Sequence, residues 1–191
     1  MINKPKGYDE AKVYTEQEKL PKGGYVIKIL NTKVVAYSWG SVLVLQMDIA
    51  EGEQAGFYQK NYDNQTQEDK KWKGTFRINL PKDDGSEQDS WTIRSLKTNM
   101  TAIEQSNPGY TWDWDETKLK GKIVGALFNE KEYEFNGKKG FFTNCKRLIE
   151  AEKIRSGNYK LPQDDMLKGS SSQNMDIPEG FSAIDDEDIP F

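Results

Sequence analysis

The stretch YVIKILNTKVVAYSWGSVLVLQMDIA, residues 25–50, decides the fold class of this chain. Its two halves, 25–37 and 41–50, are rich in β-branched and aromatic residues, which favour strands. The Ser-Trp-Gly sequence at 38–40 separates them as a turn, so the stretch predicts a β-hairpin. Both alternating faces of the second half are apolar, which is typical of a strand at the centre of a barrel or beneath other elements.

Three more strands and one helix are predicted after this hairpin. GTFRINLP (74–81) alternates as a strand. A helix capped by Asp89 or Ser90 and running to Gln105 is predicted from apolar residues at spacings of three and four: Ile93, Leu96, Met100 and Ile103. The Asn-Gly dipeptide at 136–137 is the strongest short hairpin signal in the chain and joins the last two strands.

The resulting order is strand, strand, strand, helix, strand, strand. This is the order of a mainly β, five-stranded OB-fold barrel with a helix between strands 3 and 4. Two hairpins packed around one helix in another α+β arrangement would give the same order, so that alternative stays open. The organisation predicted is an N-terminal arm at 1–20, an OB-fold domain at 21–168, a flexible linker at 169–184 and a disordered acidic tip at 185–191.

The net charge of −4 hides a division between body and tail. Of the 31 Asp and Glu residues and 27 Lys and Arg residues, six acids and no bases lie from Gly169 onward. Residues 1–168 therefore keep 25 acids and 27 bases, a net charge of +2. A mildly basic body is compatible with a nucleic-acid partner, although the whole chain is acidic.

Several functions are disfavoured by what the chain lacks. It has no histidine, which removes the usual general base and most zinc sites, and its one cysteine, Cys145, cannot form an internal disulfide. No transmembrane run or secretory signal is present, so no membrane association and a cytoplasmic location are expected. Glu116-Thr117-Lys118 matches the E-x-K fragment of Mg²⁺-dependent nucleases, but so short a motif is more often a solvated loop. No enzyme, cofactor or metal is predicted.

Aromatic and basic residues interleave along the body. Single-stranded nucleic acid needs this combination, because aromatic rings stack on bases and cations contact phosphates. Many rings must fill the core, so the candidates favoured for stacking are those in polar surroundings, whereas Trp112 and Trp114 alternate with acids and are assigned to packing. Trp91 lies beside Arg94 and Lys97 in the same pattern. The candidate DNA-binding residues are Trp39, Tyr58, Lys60, Tyr62, Lys70, Lys71, Trp72, Lys73, Arg77, Arg94, Lys97, Lys139, Lys146 and Arg147.

The acidic tip, DDEDIPF, combines an acid run with a bulky apolar end. Such a peptide can offer its phenyl ring to a pocket of a partner and its carboxylates to a basic rim. A merely solubilising acidic tail is the alternative, and the flexible linker before the tip favours docking. The candidate docking residues are Asp185, Asp186, Glu187, Asp188, Ile189, Pro190 and Phe191.

DDEDIPF resembles the C-terminal tip of bacterial single-stranded DNA-binding proteins. With its long N-terminal arm and large 51–73 insertion, the body is more similar to those encoded by phages or prophages. The resemblance implies a protein that coats single-stranded DNA in a bacterial or phage-infected cell and recruits replication, recombination and repair proteins through its tip. It leaves a homo-oligomer open. The alternative is a phage recombination or replication adaptor whose body binds a protein or duplex DNA.

Overall fold

A computed structural model describes residues 3–9 and 18–167 of the chain. Residues 10–17 of the predicted arm, the linker at 169–184 and the acidic tip at 185–191 lie outside the described residues. In the described part, no helix is long and apolar enough to cross a membrane.

The five predicted strands and the helix between the third and fourth are confirmed. The order of elements is β1 (Gly23–Tyr37), β2 (Gly40–Ile49), α1 (Phe57–Asp63), β3 (Thr75–Asn79), α2 (Glu87–Ser106), a 3₁₀ turn (Glu116–Leu119), β4 (Ile123–Phe135), β5 (Lys138–Ile149) and α3 (Ala151–Arg155). The turn at 136–137 joins β4 to β5, and both of its residues have positive φ, as a tight hairpin turn of Asn-Gly requires.

The strands form one antiparallel sheet in the order β3-β2-β1-β4-β5. Among the described residues no ladder joins the two edge strands, β3 and β5, so the sheet is not closed. Helix α2 packs against both of these edges and against β4. Side chains of α2, rather than a backbone ladder, therefore bridge the opening between β3 and β5.

The core lies between the sheet and α2. The prediction that β2 is covered on both faces is confirmed, because Val42 and Val44 are as deeply buried as Leu43 and Leu45. On α2 the side chains of Leu96, Met100 and Ile103 are buried against the sheet, as their spacing predicts. Ile93 differs from the prediction, because its side chain lies on the exposed side of the helix.

The start of α2 corrects the predicted cap. Ser86 is the N-cap, and its Oγ accepts a hydrogen bond from the Asp89 backbone N–H at 3.1 Å. The Asp89 carboxylate instead accepts from the Lys82 backbone N–H at 2.7 Å, which ties the preceding loop to the helix. The helix therefore begins earlier than Asp89 or Ser90 as a cap would allow.

The segment between β2 and β3 is anchored by one buried carboxylate. Asp48 accepts hydrogen bonds from the backbone N–H groups of Ile49, Tyr58 and Gln59. Two of these donors belong to the first turn of α1, where the N–H groups have no partner within the helix. Asp48 thus holds α1 against the end of β2.

Candidate nucleic-acid interface

The opening between the edge strands forms a cleft of about 420 Å³, which we call the seam cleft. Its described walls are residues 76–79 of β3, one side of α2 between 88 and 99, and residues 146–148 of β5. The volume falls within the range of small-ligand pockets, roughly 300–1,000 Å³. The cleft can therefore take a group of nucleotide size, while a longer strand would continue across its rim.

Four basic side chains line the seam cleft: Arg77, Arg94, Lys146 and Arg147. They come from three elements, β3, α2 and β5. None of the described residues that line the cleft is acidic. The cleft therefore carries a concentrated positive charge, although the body as a whole is only mildly basic.

Trp91 supplies an aromatic surface at the same opening. Its side chain is 55% exposed, and the Arg94 guanidinium carbon lies 5.0 Å from its ring centroid. Because the two residues are three positions apart on α2, they share one side of the helix. A base could stack on the indole while the neighbouring guanidinium contacts its phosphate.

Lys146 differs from Arg94 and Arg147 in having a tight acidic partner. Its Nζ lies 2.8 Å from both carboxylate oxygens of Asp165. The backbone of Asp165 is held in turn, because its N–H donates to the Glu130 carbonyl and its carbonyl accepts from the Glu132 N–H, each at 2.8 Å. By contrast, neither Arg94 nor Arg147 has an ion-pair partner among the described residues.

Four of the fourteen candidate DNA-binding residues thus meet in one cleft, and the other ten lie elsewhere. Lys97 is exposed on α2 but does not line the cleft. Trp39 is at the turn between β1 and β2, where its exposed ring stacks on Tyr37 with centroids 5.1 Å apart. Lys139 lies on β5, with its Nζ 3.6 Å from the Glu132 carboxylate.

The three aromatic candidates of the 57–73 segment make packing contacts within the protein. Tyr58 is corrected to a core residue: only 7% of it is exposed, and burial raises the pKa of its hydroxyl. Trp72 packs against the core, and its indole N–H donates to the carbonyls of Met47 and Gly74. Tyr62 is half-buried, with its ring 5.7 Å from that of Trp72.

The lysines of this segment are more accessible than its rings. The Lys70 Nζ lies 5.6 Å from the Tyr62 ring centroid and donates to the Asp63 carbonyl. Three further lysines, Lys60, Lys71 and Lys73, are exposed. None of the four lines the seam cleft.

The E-x-K fragment lies in the 3₁₀ turn that follows the loop containing Trp112 and Trp114. Lys118 pairs there with Asp113, which raises the pKa of the lysine and lowers that of the carboxyl through their hydrogen bond. No group of three or more acids or cysteines in the described part of the chain could hold a metal ion. Trp112 packs partly against the core, but Trp114 is exposed, which corrects its predicted packing role.

Two residues of the interface were not among the sequence candidates. In the sequence, Trp91 is distinguished only by lying three positions before Arg94, and this i, i+3 relation is the signal that could have selected it. Asp165 offered no signal, because its pairing with Lys146 depends on how the segment after α3 folds back beside β4. No protein-family model matches this chain, and no curated protein matches its sequence. The function is therefore inferred from the chemistry of the site.

Proposed function

We propose that the protein binds single-stranded DNA in the seam cleft without strong sequence preference. One observation carries this proposal: four basic side chains and an exposed tryptophan meet at a single opening whose described lining has no acid. Phosphates would lie against Arg77, Arg94 and Arg147, and a base would stack on Trp91. Stacking and phosphate contacts tolerate every base, which is why sequence preference would be weak.

The arrangement of strands supports this proposal. An OB-fold is a five-stranded, partly open barrel with a helix between strands 3 and 4 in sequence, and this chain has five strands with α2 in that position. We propose that this chain is an OB-fold variant whose barrel is open between β3 and β5. The opening would then allow basic side chains from both edge strands, β3 and β5, to contact the same DNA molecule.

We also propose that the acidic tip recruits partner proteins. Its likeness to the tip of bacterial single-stranded DNA-binding proteins supports a role in docking replication, recombination and repair proteins in a bacterial or phage-infected cell. A deletion of residues 185–191 is expected to abolish capture of such partners and to leave DNA affinity equal or higher, because none of the seven deleted residues is basic and four are acidic. Weaker DNA binding by the truncated protein would contradict this division of labour.

A fluorescence titration tests the DNA-binding proposal. We expect oligo-dT to quench the tryptophan emission and a duplex of equal length to bind far more weakly. Each phosphate contact to a single strand contributes about −0.7 to the slope of log affinity against log salt concentration, so three or four contacts predict a slope of about −2 to −3. Preference for the duplex, or no binding of either, would favour the adaptor alternative. An affinity independent of salt would contradict the phosphate contacts.

A further inference from the structure

Arginine is rare in this chain and is concentrated at the seam cleft. Of the 27 basic residues, 23 are lysine and only four are arginine. Three of the four, Arg77, Arg94 and Arg147, line the cleft, and they reach it from three different elements, β3, α2 and β5. The fourth, Arg155, pairs instead with the Glu51 carboxylate. Arginine at this opening therefore has a role beyond positive charge, which the many lysines already supply.

A guanidinium group differs from an ammonium group in what it recognises. Its planar N–H groups can donate two parallel hydrogen bonds to one oxyanion, whereas a lysine acts as a point charge. A surface that only follows a DNA backbone can use lysines, because each phosphodiester carries one negative charge and two free oxygens. Three guanidinium groups around one cleft fit an oxyanion that has more charge and more oxygens than a phosphodiester.

A β-bulge brings a second cation of β5 to the same cleft. Consecutive residues of β4 pair with Arg147 and Cys145, so Lys146 is the extra residue of β5. Lys146 and Arg147 are both exposed and both line the cleft, whereas regular alternation would send consecutive side chains to opposite faces. Bulges often re-aim a side chain next to a functional site. The sheet thus departs from regular pairing at the position that adds positive charge to the cleft.

The seam cleft ends on the hydrophobic core. Phe76, Ile78 and Leu148 are among its lining residues, and all three are buried members of the core. A DNA strand therefore cannot pass through the cleft and must enter it from the rim. The end of a strand can enter such a cleft more deeply than an internal nucleotide, which is held by the chain on both sides.

We propose that the seam cleft captures the terminal phosphate of a single strand, a phosphate monoester, between Arg77, Arg94 and Arg147. This inference rests on the proposed function and names the part of the DNA that the cleft prefers. A terminal phosphate carries up to two negative charges and three free oxygens, so it offers acceptors to all three guanidinium groups. Lys146 contributes less before DNA arrives, because Asp165 already neutralises it.

Oligonucleotides of equal charge test this proposal. At about pH 8, an oligo-dT of about ten nucleotides with one terminal phosphate carries the same charge as an unphosphorylated oligo-dT two nucleotides longer. We expect the phosphorylated strand to bind at least about fivefold more tightly in a fluorescence titration. Separate strands with a 5′-phosphate or a 3′-phosphate identify the end that is recognised. Competition by dTMP tests whether a free nucleotide is sufficient.

Arg147→Lys tests the role of the arginines, because it keeps the charge of the cleft but removes a bidentate donor. We expect the ratio of the two affinities, phosphorylated over unphosphorylated, to fall towards one in this variant. Arg94→Lys should repeat the fall. Arg155→Lys is the matched control, since it makes the same change at the one arginine outside the cleft, and it should keep the wild-type ratio. Unchanged circular dichroism would show that each variant folds.

The outcomes separate this inference from the proposed function. Equal binding of the two strands by the wild-type protein would overturn capture of the terminal phosphate while leaving DNA binding in the cleft intact. Failure to bind any strand would overturn both. A wild-type ratio in Arg147→Lys and Arg94→Lys, or an equal fall in Arg155→Lys, would refute recognition by the cleft arginines. Competition by dTMP as strong as that of the phosphorylated strand would assign the cleft to free nucleotides and refute capture of a strand end.

Discussion

Asp165→Asn is expected to strengthen binding of single-stranded DNA. In the wild-type protein, both carboxylate oxygens of Asp165 lie 2.8 Å from the Lys146 Nζ, so this cleft cation is neutralised before DNA arrives. An asparagine keeps the backbone hydrogen bonds of position 165 to Glu130 and Glu132, since these use only its N–H and carbonyl groups. The substitution therefore releases Lys146 while the segment around position 165 stays in place beside β4.

The magnitude follows from one additional phosphate contact. Both partners of the pair are partly exposed, with 45% and 35% of their side chains accessible, so the pair itself contributes at most about 1 kcal/mol to folding. A new exposed contact of similar strength, about 1 kcal/mol, corresponds to roughly fivefold tighter binding at low salt. The salt slope should also become steeper by about 0.7. The thermal midpoint should change little.

Fluorescence titration with oligo-dT at several salt concentrations measures both quantities. Asp113→Asn is the matched control, because it also breaks a Lys–Asp pair and changes the net charge equally, but Lys118, the lysine of that pair, does not line the seam cleft. The reasoning would be refuted if Asp165→Asn bound DNA no more tightly than wild type. An equal gain in Asp113→Asn would assign the effect to overall charge instead of Lys146.

Three further predictions concern single side chains. Trp91→Ala should weaken oligo-dT binding about fivefold or more and remove part of the fluorescence quenching. Trp114 is also exposed but lies outside the cleft, so Trp114→Ala should not change the affinity. Equal effects of the two substitutions would contradict stacking at Trp91. Gly74→Ala should lower the free energy of unfolding, measured in urea, by about 1–3 kcal/mol, because the new Cβ would clash with the Met47 carbonyl oxygen and the Tyr58 ring. An unchanged urea midpoint would show that the residues around position 74 relax to accept the Cβ. The Cys145 thiol, whose pKa burial raises, should react with a disulfide reagent at pH 8 only after denaturation; rapid reaction of the native protein would contradict its burial.

The fold was predictable from sequence where its signals are local. Alternating β-branched residues define β1 and β2, and the Asn-Gly turn at 136–137 fixes the last hairpin, since both depend only on neighbouring residues. The opening of the sheet was not predictable in this way. Whether β3 pairs with β5 depends on where α2 lies, and that is decided by packing between residues far apart in the chain.

The candidate site shows the same limit. Residue types alone selected Arg77, Arg94, Lys146 and Arg147, but only the fold shows that they share one cleft. Tyr58 lies among polar residues in sequence and is nevertheless buried, because Asp48 holds α1 onto the sheet from ten positions earlier. In the stretch EKEYEF (130–135) the glutamates alternate with Lys131, Tyr133 and Phe135, and the strand places the two sets on opposite faces. The composition of the stretch therefore does not indicate that one of its faces is aromatic.

The most direct test of the account is to map single-stranded DNA on the protein by heteronuclear NMR, using a short oligo-dT and the full chain. We expect backbone shifts at 76–79, 88–99 and 146–148, together with a shift of the Trp91 indole N–H. The Trp72 indole N–H, which is held by the Met47 and Gly74 carbonyls, should stay in place. Shifts confined to the 57–73 segment, with the Trp91 signal unmoved, would contradict binding in the seam cleft.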